Sequence, residues 1–170
     1  MTERDGERRP ASRAEAAALA SAVRLRIIRL TYERALTNKE IAHRLGKDPA
    51  TTLYHVRKLV ATGFLVAQPV RAGARGAREI PYRSTGLSWQ LKGAGRSERI
   101  GQAMLEAYLG EVADTGVANL EQTRRILRLD EAGVAELTSR IYGLIEEFAA
   151  RPSAPAGRRV ALYLALYPSE

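Results

Sequence analysis

From residue 12 onward, apolar positions recur at helical intervals, and the recurrence is interrupted at places where the sequence also carries helix-ending and helix-starting residues. Ser12 and Glu15 have capping-box spacing, in which each side chain satisfies a free amide at a helix start, so a helix is expected to begin near Ser12. In "ALASAVRLRIIRLTYERAL" the residues Leu19, Val23, Ile27 and Leu30 fall three or four apart on one stripe, which predicts a core-packing helix, broken near Ser21. Arg24, Arg26 and Arg29 lie mostly off that stripe and are expected to be solvated, with some in reach of phosphates. Thr37 and Glu40 repeat the capping-box spacing. Ile41, Ala42 and Leu45 then form a short apolar face that stops at Gly46, a residue suited to a left-handed helix end. Asp48 can cap a further helix whose first turn holds Pro49, where the missing amide proton costs little. Two helices joined by about three residues have the spacing of a helix-turn-helix.

The wheel of the second of these helices separates two chemistries. Leu53, Val56, Leu59 and Val60 gather on one side, and Ala50, Thr51, Tyr54 and Lys58 lie opposite. Arg57 and His55 sit on the flanks, and Thr52 turns partly inward. A polar, basic outer face fits the major groove, where Thr, Tyr, His and Lys meet base edges or phosphates. These residues, Ala50, Thr51, Thr52, Tyr54, His55, Arg57 and Lys58, are the candidate base-reading set. Gly63 ends the helix, after which "FLVAQPVR", the glycine-rich "AGARGA" and "REIPYRST" read as a strand, a tip and a returning strand. Arg71, Arg75 and Arg78 stand where such a hairpin would touch a phosphate backbone or a minor groove. Pro69 and Pro81 each remove a ladder amide, so these strands are expected to be short or at an edge.

Alternation of another kind dominates the second half. "GLSWQLKGAGRSE" reads as a linker, with Trp89 plugging a core at the junction, and Ser97 can cap a helix in which Ile100, Met104, Ala107, Tyr108 and Glu111 keep helical spacing. Beyond it, "TRRILRLD" can form a strand, "DEAGVAELTSRIYGLIEEFAAR" an amphipathic helix from Asp130, and "RRVALYLALYP" a strongly β-like strand; "RPSAPAGR" is a turn-rich connection. In the last strand Val160, Leu162, Leu164 and Leu166 share one face and Ala161, Tyr163, Ala165 and Tyr167 the other, so neither face is polar and both call for a cover. Tyr163 and Tyr167 mark a candidate effector pocket, where aromatic faces and hydroxyls could grip an apolar ligand with a polar end.

Charge sharpens this division. Residues 1–96 hold 19 Lys and Arg against 8 Asp and Glu, a balance of +11, while residues 97–170 hold 8 against 11, a balance of −3. A basic half joined to a slightly acidic one suggests that the first binds a polyanion and the second has another task. The 170 residues contain no cysteine, which removes disulfides, thiolate metal sites and thiol switches. No apolar run approaches membrane-spanning length and "MTERDGERRP" lacks an apolar signal core, so a cytoplasmic protein without membrane contact is expected. No glycine-rich phosphate loop, paired histidines or nucleophile beside a base is present, so the chain is not read as an enzyme and no cofactor is expected.

"LASAVRLRIIRL", "TNKEIAHRLGKDPATTLYHVRKLVATGFL" and the hairpin after them resemble the winged helix-turn-helix domain of ArsR-like bacterial transcriptional regulators. The resemblance covers roughly residues 13–85, and "LYHVRKLVATGFL" is its most specific part. It implies a homodimer on a two-fold-symmetric double-stranded operator, residues 48–62 as recognition helix, and the helix after the wing joining the protomers. The family's metal sensors use cysteines or clustered His and acidic ligands. Here the histidines are His43 and His55, both inside the motif, so metal sensing is unsupported and both are read as structural or DNA-facing.

The expected architecture is therefore α+β. It consists of a disordered arm at 1–11, a winged helix-turn-helix domain at 12–88, a linker at 89–96 and, at 97–170, a helix with a small α/β dimerisation or sensing module. The expected function is that of a DNA-binding transcriptional regulator, read as a repressor, with a small-molecule effector as a further candidate partner. A winged-helix module that binds protein or RNA is the alternative, though Thr51, Tyr54 and Lys58 suit base edges better than the large apolar anchors of a protein interface.

Overall fold

In a computed structural model of the chain, the described residues are 9–73, 76–92, 97–152 and 157–169. They form two compact units, Met1–Leu120 and Glu121–Glu170. The fold is α+β.

Helix starts in the first unit follow their caps. The Ser12 hydroxyl accepts from the Glu15 amide at 3.2 Å while the Glu15 carboxylate accepts from the Ser12 amide at 2.7 Å, and helix α1 runs over Arg13–Leu19. The chain breaks at Ser21, as expected, before α2 at Ala22–Leu30. Thr37 and Glu40 make the same reciprocal pair ahead of α3, Asn38–Leu45. The recognition-type helix α4 spans Pro49–Ala61.

Strands are short. β1 (Arg9–Pro10) pairs in parallel with β7 (Leu91–Lys92), and β2 (Leu36–Thr37), β6 (Pro81–Ser84) and β3 (Leu65–Ala67) form an antiparallel sheet in the order β2-β6-β3. Its register sets Leu65 against Ser84, Ala67 against Tyr82, and Leu36 against Tyr82. β4 (Arg71–Ala72) and β5 (Arg78–Glu79) extend the hairpin toward its tip. This is the wing, and its strands are as short as Pro69 and Pro81 require.

The core gathers Leu19, Ile27, Leu36, Ile41, Val56, Leu59 and Phe64, all at most 2% exposed, from every helix of the motif and the start of the sheet. Helix α5, Glu98–Thr115, adds Ile100 to this core and packs on α2. It was expected with residues 97–170, yet it belongs to the first unit. Its small Ala103 and Ala107 are buried against that surface, and Arg26 and Arg29 of α2 pair with Asp114 and Glu111. Those two arginines are therefore not simply solvated, as their position off the stripe implied. A Cβ at Gly110 would stand 3.2 Å from an Arg26 guanidinium nitrogen, so glycine makes room for the crossing cation.

Three further expectations are corrected. Arg9–Pro10, placed in a disordered arm, are paired in β1, and the Arg9 guanidinium bonds the Glu15 carboxylate at 2.9 and 2.5 Å. Trp89 is 47% exposed in a 3₁₀ turn at Leu87–Gln90, and it is Leu91 that is buried instead, because β7 rather than the turn faces the core. In the second unit the helix α6, Glu131–Ala150, forms with Asp130 as its cap, but "TRRILRLD" and the described residues of the last run, 157–169, form no strand. A strand is completed by a ladder partner, and no pairing supplies one to either run among the described residues.

Arg9 first, and then the Ser12 amide, hold the Glu15 carboxyl at about 2, far below its ordinary 4.5. A depressed carboxyl pKa contributes stability that is complete above about pH 4.5 and disappears as pH falls toward 2. Glu15→Gln is expected to destabilise the fold at pH 7 by about 1 kcal/mol, the size of a helix cap. Urea midpoints of the two proteins should converge as pH approaches 2, and a gap that persists there would refute the assignment.

Candidate nucleic-acid interface

The turn that presents α4 is built from its own bonds. Gly46 adopts φ 60°, and the bonds from the Lys47 amide to the Ala42 carbonyl and from the Gly46 amide to the His43 carbonyl close α3 in a Schellman pair. The Asp48 carboxylate accepts from the Ala50 and Thr51 amides at 2.8 and 3.1 Å, and the Asn38 amide group donates to the Pro49 carbonyl at 2.8 Å. The entry of α4 is thus fixed from both sides of the turn. Val56 and Leu59, fully buried, anchor it to the core.

Ala50, Thr51, Tyr54, Arg57 and Lys58 are exposed on α4, as the wheel expects. Tyr54 is 65% exposed and meets the His55 ring edge-on at 5.4 Å. His55 is half-buried with its Nδ1 buried and unbonded. Burial first, then the charges of Arg24 and Lys47, lower its pKa from the ordinary 6.5, which favours the neutral ring.

Thr52 is a correction. It is fully buried, and its hydroxyl donates to the Asp48 carbonyl at 2.9 Å, because its wheel position falls on the core side of the boundary. Its part is structural: Thr52→Val is expected to lower stability by about 1 kcal/mol, seen in thermal or urea melts, and to leave nucleic-acid affinity of the folded protein unchanged. Val60 departs the other way, with 38% exposure at the edge of the inward stripe.

In the wing, Arg71 bridges Glu40 at 2.9 Å and Glu79 at 3.5 Å, which ties the base of the hairpin to α3. Glu40 stays below the ordinary carboxylate range although burial works against it, because the Thr37 amide and Arg71 both bond it. Arg78 is exposed on β5, and Arg75 lies outside the described residues. Two further cations bear on α4: Lys47, which no sequence pattern singled out, and Arg24, which was expected to be solvated or in reach of phosphates. Lys47 stands exposed in the turn, and Arg24 donates to the Ala17 and Ala18 carbonyls at 2.8 and 2.5 Å. Both fields reach His55, and Arg24 also interacts electrostatically with Tyr54. The position of Lys47 between the two helices was the available signal for it; for Arg24, far upstream of the turn, no local pattern pointed to α4.

Tyr163 is half-buried and Tyr167 69% exposed, in a run without regular secondary structure, so the two do not form an enclosed pair. Among the described residues no group of three or more His, Asp or Glu gathers as for a metal, and no helix is long and apolar enough to cross a membrane.

Comparison with known proteins bears on this geometry. No curated protein matches the chain. Among solved structures, similarity extends to reduced HlyU from Vibrio cholerae, at 18% identity over 56% of this chain and 84% of that one, with a TM-score of 0.37. It extends also to an apo mutant of ZitR from Lactococcus lactis, at 17% identity over 78% and 86% with a TM-score of 0.35. The multiple antibiotic-resistance repressor MarR from Listeria monocytogenes matches at 15% identity over 79% and 78%, with a TM-score of 0.36. The family model described as a helix-turn-helix domain matches residues 19–68, which contain α2, α3, the turn and α4 entire. Residues 19–68 match a helix-turn-helix domain, and the hairpin that follows the helices gives this region a winged helix-turn-helix arrangement.

Proposed function

We propose that the protein is a sequence-specific double-stranded DNA-binding transcriptional regulator of the ArsR-like type, a cytoplasmic repressor that acts as a homodimer on an inverted-repeat operator. The observation that carries this reading is the outer face of α4. Thr51, Tyr54, Arg57 and Lys58 are exposed together on a helix whose start is capped and whose inner side is locked in the core, and the hairpin strands that follow carry Arg71 and Arg78. Hydroxyls and cations at that density suit base edges and phosphates, and the excess of +11 over residues 1–96 supplies the attraction. Metal chemistry has no part in the reading; the uncovered apolar surface of the second unit supports assembly.

Selection of genomic fragments by the purified protein, followed by fluorescence anisotropy on the selected duplex, tests the proposal. The expected site has two inverted half-sites about one helical turn apart. Affinity should fall steeply as salt rises, because phosphate contacts release counterions. Salt-independent binding, or a preference for single-stranded RNA, would overturn it.

A further inference from the structure

The unit Glu121–Glu170 keeps none of its described residues buried. Helix α6 carries the stripe Val134, Leu137, Ile141, Leu144 and Phe148 at partial or full exposure, and Val160, Leu162, Leu164 and Leu166 are between 41% and 79% exposed. The last run has a property that its alternation alone does not reveal. "VALYLAL" reads nearly the same in both directions about Tyr163: Leu162 mirrors Leu164, Ala161 mirrors Ala165, and Val160 mirrors Leu166.

We infer that residues 159–167 pair antiparallel with the same residues of a second copy of this chain, about a two-fold axis through Tyr163. Self-pairing in this register sets leucine against leucine and alanine against alanine, which is what an isologous interface requires. The four branched residues of each copy then share one face of the ribbon, where the apolar stripe of α6 can cover them. Charge selects the direction. A parallel ribbon would set Arg158 and Arg159 of the two copies side by side, whereas the antiparallel one holds the two Arg159 residues roughly 25 Å apart. Pro168 donates no amide and falls opposite Arg158, so the ladder stops at matching points on both copies.

The run 124–129 of the same chain is a poorer partner. Arg124, Arg125 and Arg128 put cations on both of its faces, and the last run has no polar face to receive them. This inference deepens the homodimer reading and rests on it.

The 170-residue chain has no cysteine, so introduced thiols report alone. Residues directly opposite in an antiparallel ladder have Cα atoms about 4.5–5.5 Å apart, within disulfide reach. Ala161→Cys co-expressed with Ala165→Cys should give covalent dimer on non-reducing gels in at least about tenfold excess over either variant alone, where the thiols lie about 13 Å apart. Leu164→Pro should shift light scattering from dimer toward monomer while helical circular dichroism is kept. A dimer with no excess cross-link, or with cross-links as strong in the single variants, sinks the strand and leaves the homodimer standing. A chain that is monomeric at every concentration sinks both.

Discussion

Replacing Phe64 by alanine is expected to lower the unfolding free energy by about 3–5 kcal/mol, the largest loss at any single position in the first unit. Phe64 is 1% exposed and is the largest of the fully buried side chains. It stands directly after α4, where its amide bonds the Leu59 carbonyl at 2.9 Å and its carbonyl accepts from the Thr85 amide at 3.1 Å. The ring thus fills the space where the end of the helix, β3 and the end of β6 meet. Truncation leaves a cavity that those bonded backbones cannot readily close, so the loss includes a cavity term beside the transfer term. Since small domains are stable by only about 5–15 kcal/mol, much of the margin would go. Urea denaturation followed by circular dichroism measures it, with Phe64→Leu as the milder control. A loss below about 1 kcal/mol would mean that the core repacks around the site.

That core was readable in the sequence because its signals are local. Ser12 with Glu15, Thr37 with Glu40, Gly46, and Asp48 with Pro49 each act within four residues of themselves, and each fixes a helix end where it was expected. Spacing within a helix then identifies the inner face, except at its borders. Thr52 and Val60 lie at such borders: Thr52, turned only partly inward on the wheel, is fully buried, and Val60, placed on the inner side, is 38% exposed. Partners far along the chain were not readable at all. Arg26 and Arg29 look like solvent-facing cations until α5 arrives, 88 and 82 residues later, with Asp114 and Glu111. Arg71 looks like a phosphate contact until Glu40 is seen beside it.

The runs at 124–129 and 160–167 have the composition of strands but no ladder among the described residues of their own unit. Composition sets which segments can be extended, whereas a sheet exists only where a second segment meets the first. For the candidate interface the same division holds. The exposed set on α4 follows from local periodicity, while the lowered pKa of His55 comes first from burial and then from Arg24 and Lys47, which only the fold brings near.

Substitutions on the face of α4 should separate sequence reading from general attraction. Thr51→Ala and Tyr54→Ala are each expected to weaken binding to the preferred duplex by about 1–3 kcal/mol and to leave binding to random duplex nearly unchanged. Both side chains are exposed, and Tyr54 is 65% so, so neither change should disturb folding. Melting curves provide that control and set these variants apart from Phe64→Ala. Arg78→Ala, on the wing strand β5, should behave differently, because a phosphate contact carries no base information. It is expected to weaken both duplexes alike and to reduce the salt slope by about one unit. Lys58 is also exposed on α4 and can reach either a base edge or a phosphate, so its alanine variant reports which of the two it meets. Anisotropy titrations of each variant on both duplexes, at several salt concentrations, decide the matter. Equal losses on the two duplexes for Thr51→Ala, Tyr54→Ala and Arg78→Ala would mean that α4 touches only the backbone, and the base-reading role would have to move elsewhere on the domain.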